Sequence, residues 1–455
     1  MRPLATLFFA CLMSLPLFAQ DIVKIPLGKD EALEVFVLEP YRGRGLQTID
    51  LPLFLALPPG GQDLKMARYA VDGLGKAAAA RGYLAVVPVA RDKIFFKGGE
   101  KDLPALFTWL EKKYRIDASR SLVAGISNGG RSAFHIAGMW PKRFAGIGAA
   151  PGVIVKGSVT KPLEGKPAWM RVGEKDNDRW TKGGEKTAAT LKEMGNAVSY
   201  EVVKGMGHNV AFDADEMLNW LESRVGKFER VKIKAPDDLE ITGELYATGD
   251  KKKSIILFCH QAGSSRGEYR TIAKKLLGLG YNGLAIDQRS GRGGASFSHG
   301  VSNETAKRHG KKVTYLDAKP DIEAALDWLT KKGYTGPRVL WGSSYSSALA
   351  LVLGPERDDV DVVCAFAPGE YLAPDRGMVG RSAGKLSKPT LIVSPEGERA
   401  RAEPLFKALT GKHKHFEISE EILHGSRTLF LGESRDALWK VVEGFLAKAT
   451  AAVKK

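Results

Sequence analysis

Cysteine is nearly absent. There are three in 455 residues, and one of them, Cys11, falls in an apolar N-terminal stretch. So few thiols exclude a disulfide framework and a cysteine-rich zinc site. The other two, Cys259 and Cys364, sit inside apolar runs of strand length and read as small core hydrophobes. Long hydrophobic runs are missing beyond the N-terminus, so no later segment approaches the ~20 apolar residues a membrane-spanning helix needs. Acidic residues are outnumbered, 52 Asp and Glu against 68 Lys and Arg, for a formal charge of +16. The lysines are scattered, which reads as a solvated basic surface. No zinc-finger spacing or recognition-helix signature accompanies the charge, so no nucleic-acid partner is expected. Histidine is scarce at eight, which makes any imidazole placed just after a strand conspicuous.

What is there begins with an export signal. Arg2 is followed by the almost wholly apolar Leu4 to Phe18, and Leu17-Phe18-Ala19 offers a small residue before a cleavage point. Residues 1–19 are therefore expected to be a signal peptide, and the protein to be periplasmic or secreted. Once it is removed, no stable membrane span is expected.

The remaining chain repeats itself. Pro52 to Gly61 overlays Ser254 to Gly263, each an apolar run of strand length ending in a glycine-containing turn. Tyr83 to Val89 matches Tyr281 to Asp287, Ser121 to Gly125 matches Arg338 to Gly342, and Ala168 to Val172 matches Thr390 to Ser394. Val198 to Val203 and His415 to Ser419 close the two series. Helix-like segments lie between the strands, for example Lys65 to Ala80 and Tyr269 to Leu279. That alternation predicts an α/β fold, two tandem domains each with a mostly parallel sheet flanked by helices. The expected domains are 20–227 and 228–455. The offset between the halves grows from 202 (254 minus 52) to 217 (344 minus 127), and the difference is assigned to an insertion over Ser290 to Lys319.

Gly125-Ile126-Ser127-Asn128-Gly129 is a G-x-S-x-G between an apolar strand and the helix-like Arg131 to Met139. A serine on such a turn projects its hydroxyl above the sheet, and the glycines permit the turn. A hydroxyl needs a base and the base an orienting carboxylate, in the chain order Ser, acid, His. Asp176 follows one strand and His208 the next, with Asp178 as a rival acid. The second half repeats the plan as Ser344, Glu398 and His424, with Glu396 as the rival and Ser346 where the first half has Gly129. Oxyanion donors are expected at the amides of Asn128 and Tyr345, and in the early turns at Gly61, Gln62 and Gln261. His260 beside that turn reads as a brace for the loop. Trp180 reads either as the wall of an acyl or aromatic pocket or as an ordinary half-buried tryptophan. His135 reads as a packed residue. Gly291 to Gly294 lacks the spacing of a phosphate loop, and His299 and His309 lack zinc spacing. No metal or organic cofactor is expected.

Asp117 to Gly130, followed by Trp140 to Gly146, resembles secreted α/β-hydrolase esterases of the polyhydroxybutyrate-depolymerase and feruloyl-esterase kind. His260 to Gly263, Asp287 to Gly291 and Gly342 to Ser346 resemble dienelactone-hydrolase-like proteins. The resemblance implies hydrolysis of a small-molecule or polymer-linked carboxylic ester through a Ser-His-acid triad; Ser346 and Glu398 depart from its commonest pattern. Two other readings stay open: a serine peptidase of the prolyl-oligopeptidase type, and a non-catalytic binder of acidic polymers or glycans.

Overall fold

The computed structural model describes residues 22–40, 50–158, 160–209, 213–226, 228–290, 301–420, 423–431 and 434–453. The expected signal peptide at 1–19, Gly291 to Gly294 and His299 lie outside these residues.

The first sheet has eight strands. They are β1 (Ile22–Gly28), β2 (Glu31–Leu38), β3 (Leu53–Leu57), β4 (Leu84–Pro88), β5 (Leu122–Gly125), β6 (Gly146–Ala149), β7 (Ala168–Gly173) and β8 (Val198–Val203). The second also has eight: β9 (Glu229–Lys234), β10 (Glu240–Tyr246), β11 (Ile255–Cys259), β12 (Asn282–Ile286), β13 (Arg338–Ser343), β14 (Val362–Phe366), β15 (Thr390–Pro395) and β16 (Lys414–Ser419). The spatial orders are β1-β2-β4-β3-β5-β6-β7-β8 and β9-β10-β12-β11-β13-β14-β15-β16, one topology used twice. In each sheet the second strand runs antiparallel to both its neighbours, β2 to β1 and β4 and β10 to β9 and β12, and the remaining pairs are parallel.

Central strands such as β3 and β11 are buried at every residue because helices cover both faces, so they read as unbroken apolar runs. The edge strand β8 is half-buried and mixes Tyr200 and Glu201 into its sequence. Leu57 pairs with Gly125 and Cys259 with Gly342, so the repeat holds in register as well as in order. The Lys65 to Ala80 segment is helical but interrupted, with a π-turn at Val71–Gly75 between Leu64–Ala70 and Lys76–Ala80. Both Cys259 and Cys364 are buried free thiols, and burial pushes their pKa values up.

The halves meet across a charged seam. Glu222, on the helix Ala214–Val225, accepts from Arg81 at 2.8 Å and from Arg270 at 3.0 Å; Arg270 also reaches Glu244 at 2.7 Å. Burial alone would raise the carboxyl of Glu222, but Arg270, Arg81 and Arg230 outweigh it and hold the pKa down to about 2. Phe228 packs on Tyr246 beside the seam, with ring centroids 5.5 Å apart. A cavity of about 310 Å³ opens there, lined by Arg81, Arg270, Lys274 and Trp439 among others.

Candidate active sites

Ser127 caps the helix Asn128–Met139 directly after β5, with φ 58° and ψ −119°. A non-glycine residue in this region costs roughly 1–3 kcal/mol, so the surroundings must enforce it. They do so through glycine. A Cβ on Gly125 would lie 2.2 Å from the Gly129 carbonyl carbon, and one on Gly129 would lie 2.0 Å from the Leu57 oxygen. Strand, turn and helix approach more closely than any side chain allows.

The acid and the base come from the next strand ends. Asp176 lies three residues past β7 (176 minus 173), and His208 five past β8 (208 minus 203). Gly173 makes room for the second loop, because a Cβ there would lie 2.1 Å from the Gly207 oxygen. Ser127 Oγ and His208 Nε2 are 2.8 Å apart, and His208 Nδ1 and Asp176 Oδ2 also 2.8 Å. The Asp176 side chain is 2% exposed, and its other oxygen accepts the Asn177 N–H at 2.8 Å. With the carboxylate an acceptor only, Nδ1 carries the imidazole proton and Nε2 is left to accept from the serine hydroxyl. Trp180 is buried against this base, ring centroids 5.0 Å apart, and so forms a wall of the site. Asp178, the rival acid, is exposed and bonds Lys182 instead.

The second half builds the same parts differently. Ser344 has φ 59° and ψ −124°, nearly identical to Ser127. Glu398 lies three residues past β15 (398 minus 395) and His424 five past β16 (424 minus 419). Both Glu398 oxygens reach His424 Nδ1, at 2.8 and 2.9 Å, so the longer acid does meet the imidazole. Ser344 does not join them: among the described residues its hydroxyl makes no hydrogen bond to His424. Ser426 N–H donates to Ser343 Oγ at 2.9 Å, which anchors the His424 loop to the nucleophile strand. The Gln261 carboxamide adds a second anchor, its NH₂ donating to the His424 carbonyl at 3.2 Å and its oxygen accepting from Arg427 at 3.0 Å. Glu396 is exposed and pairs with Arg399.

The expected oxyanion donors divide. The amides of Asn128, Gly61 and Tyr345 make no hydrogen bond among the described residues, so they are available. Two expectations are corrected. Gln62 N–H donates to the Pro59 carbonyl at 3.0 Å because the residue closes a tight turn at φ 60°. Its buried side chain bonds Pro58, Ser132 and Phe95, so Gln62 braces the turn. Gln261 N–H donates to Glu268 at 3.0 Å and is likewise occupied. His260 is fully buried; its Nε2 accepts the Gln288 N–H at 3.0 Å and Nδ1 donates to the Gln261 carbonyl, a bracing role. His135 packs against Ser158, with Nδ1 3.0 Å from its hydroxyl.

Comparison with known proteins finds a family model described as Esterase over residues 104–231, a segment containing Ser127, Asp176 and His208. No curated protein matches the chain. Among solved structures, a dienelactone hydrolase from Anabaena variabilis aligns at 19% identity over 49% of this chain and 98% of its own, with a TM-score of 0.40. An esterase from Pyrococcus furiosus gives 19% identity, 49% and 93% coverage and a TM-score of 0.39. Est1E from Butyrivibrio proteoclasticus gives 13%, 49% and 99%, with 0.38. The assignment rests on the strand order and the strand-to-helix serine turn, both of which the chain uses twice. Both halves have the α/β-hydrolase fold.

Sequence reasoning passed over Arg131 and Phe96. The Arg131 guanidinium lies 4.3 Å from the Phe96 ring centroid and 6.0 Å from that of Trp180. The signal was available, since residues four apart on a helix share a face and Arg131 follows Ser127 by one turn. No helix among the described residues is long and apolar enough to cross a membrane.

Proposed function

We propose that the first half hydrolyses carboxylic esters through an acyl-enzyme on Ser127. The observation that carries this reading is the unbroken hydrogen-bond chain Ser127–His208–Asp176. Ser127 Oγ attacks the ester carbonyl carbon while His208 Nε2 takes its proton. The backbone amides of Asn128 and Gly61, which make no hydrogen bond among the described residues, donate to the oxyanion in this reading, and the dipole of the helix that starts at Asn128 favours that charge. His208 then protonates the departing alcohol, and a water repeats the sequence to free the acid. Asp176 holds the tautomer and stabilises the imidazolium.

The substrate is a small-molecule or polymer-linked ester. We take the two halves as domains 20–227 and 228–455, and the apolar residues 1–19 support export to the periplasm or medium. A serine-reactive fluorophosphonate tests the core of the proposal. Wild type and Ser344→Ala are expected to be labelled and Ser127→Ala to resist. Persistent labelling of Ser127→Ala at the wild-type rate would remove the assignment.

A further inference from the structure

Beside Ser127 stands a cation with no counter-charge paired to it among the described residues. Arg131 N–H donates to the Ser127 carbonyl at 3.1 Å, which puts its side chain on the first turn after the nucleophile. One helical turn is ~5.4 Å of rise. The guanidinium lies over Phe96, near Trp180, whose ring packs on His208. Its Nε is buried with no hydrogen-bond partner, and its one side-chain bond is a long 3.5 Å contact from Nη1 to Asn128 Oδ1. Arg131 makes no ion pair among the described residues. Burial, and after it the like charge of Arg179, pull the Arg131 pKa down. A third cation, Lys97, lies 5.9 Å from the same Phe96 ring.

Arg131 is half-buried; the fully buried arginines show what this chain does with such a group when no ligand is involved. Arg81 grips Glu222, Arg289 grips Asp321, and Arg266 grips Glu244 and Asp287, each through charge-assisted hydrogen bonds. A guanidinium presents five donors in a planar fork suited to a carboxylate, and leaving buried donors unpaired is costly. Stacking on Phe96 holds the plane of Arg131 but satisfies none of its N–H groups.

We propose that Arg131 is a specificity residue that recognises a carboxylate on the substrate, so that the preferred esters carry an anionic group a few bonds from the scissile carbonyl. This rests on the esterase reading above and names its substrate class. The carboxylate would seat between Phe96 and Trp180, with the ester carbonyl over Ser127. Arg179 and Lys97 add attraction on approach, in line with the basic charge of the chain.

The test uses the mono(4-nitrophenyl) ester of glutaric acid and its neutral isostere, 4-nitrophenyl 5-methylhexanoate, on the full-length protein. Wild type is expected to favour the anionic ester by 10-fold or more in kcat/KM. Arg131→Met, which keeps length and packing on Phe96, is expected to erase that preference by raising KM for the anionic ester 10- to 100-fold. Its loss on the neutral ester is expected to stay within about threefold, and Arg131→Lys to recover part of the preference. Equal turnover of the two esters by wild type, or an equal loss on both in Arg131→Met, overturns the proposal. Fluorophosphonate labelling of Ser127 and neutral-ester turnover report the esterase reading separately. Labelling with no anionic preference sinks only the role of Arg131; no labelling and no turnover of either ester sinks both.

Discussion

Ser127 and Ser344 sit on the same turn of the same fold, within 1° in φ and 5° in ψ, yet only Ser127 hydrogen-bonds its imidazole. The acid positions match too, three residues past equivalent strands, and each acid reaches the Nδ1 of its histidine. What differs is how the last loop is held. In the first half it lies against Gly173, tied by the Lys175 N–H donating to the Met206 carbonyl at 2.8 Å and by Glu174 accepting the Gly205 N–H at 2.9 Å, and Asp176 is almost fully buried beneath it. In the second, Ser343 and Gln261 grip the loop by side-chain hydrogen bonds, and Glu398 is 20% exposed. The fold supplies the order and spacing of the serine, the carboxylate and the imidazole. The two halves part in the loop that carries the histidine, tied through Glu174 in one and through Ser343 and Gln261 in the other.

The largest expected effect tests this asymmetry. Ser127→Ala is expected to lower kcat/KM on a 4-nitrophenyl ester by about 10⁴-fold or more, the scale of losing a triad nucleophile. Asp176→Asn, which leaves the wrong tautomer facing the serine, is expected to fall by a similar order. Ser344→Ala and Glu398→Gln are expected to retain at least about half of wild-type turnover. Steady-state kinetics on the four variants suffice, and a major loss in Ser344→Ala would show that the second site turns over as well.

Next in size is the seam that both halves share. Glu222→Ala removes the carboxylate that Arg81, Arg270 and Arg230 share, leaving Asp215 and Glu244 to balance the three. Removing one partner of a buried pair typically costs about 3–5 kcal/mol, so a clear fall in the thermal or urea midpoint is expected. The same carboxylate gives stability an acid limb. Its folded pKa of about 2 lies below the ordinary 4.5, so its contribution is complete above pH 4.5 and is lost as pH falls toward 2. Unfolding midpoints measured down that range should decline in wild type and decline less in Glu222→Ala. Matching slopes would show that another group controls the acid limb.

How much of this was legible in the residues follows the physics of each element. Buried parallel strands announce themselves as apolar runs, so β3, β5, β11 and β13 were readable, and the triad positions followed from them. β6 was not. Its sequence, Gly-Ile-Gly-Ala, carries no strand signal, because Gly146 and Gly148 make room for Met217 and Leu221 from the covering helix. The β1–β2 hairpin was also missed, since β1 is an edge strand in which only Ile25 is buried and the rest are half-buried or exposed. At the site, side-chain identities could be inferred, whereas backbone donors could not. Nothing in the letters Gln62 and Gln261 shows that one amide closes a turn and the other feeds Glu268. Arg131 was missed because a lone cation on a helix is ordinary until its neighbours are known to be aromatic.

The smallest expected effect concerns the position where the two nucleophile turns differ most in sequence. Gly129 admits no side chain, yet its counterpart is Ser346. The second half accommodates it by using the hydroxyl: Ser346 Oγ accepts the Ser343 N–H at 2.8 Å and donates to the Cys259 carbonyl at 2.6 Å. A contact between backbones in one half is thus a hydrogen-bonded bridge in the other, and the glycine-to-serine change keeps the turn by different means. Ser346→Ala removes the bridge and leaves a buried N–H unpaired, for an expected loss of about 1–3 kcal/mol. Urea unfolding should register that loss while Ser127-dependent ester turnover stays near wild type. A Ser346→Ala protein as stable as wild type would mean that the turn is held by the glycine-like approach of its backbones in both halves, with the hydroxyl incidental.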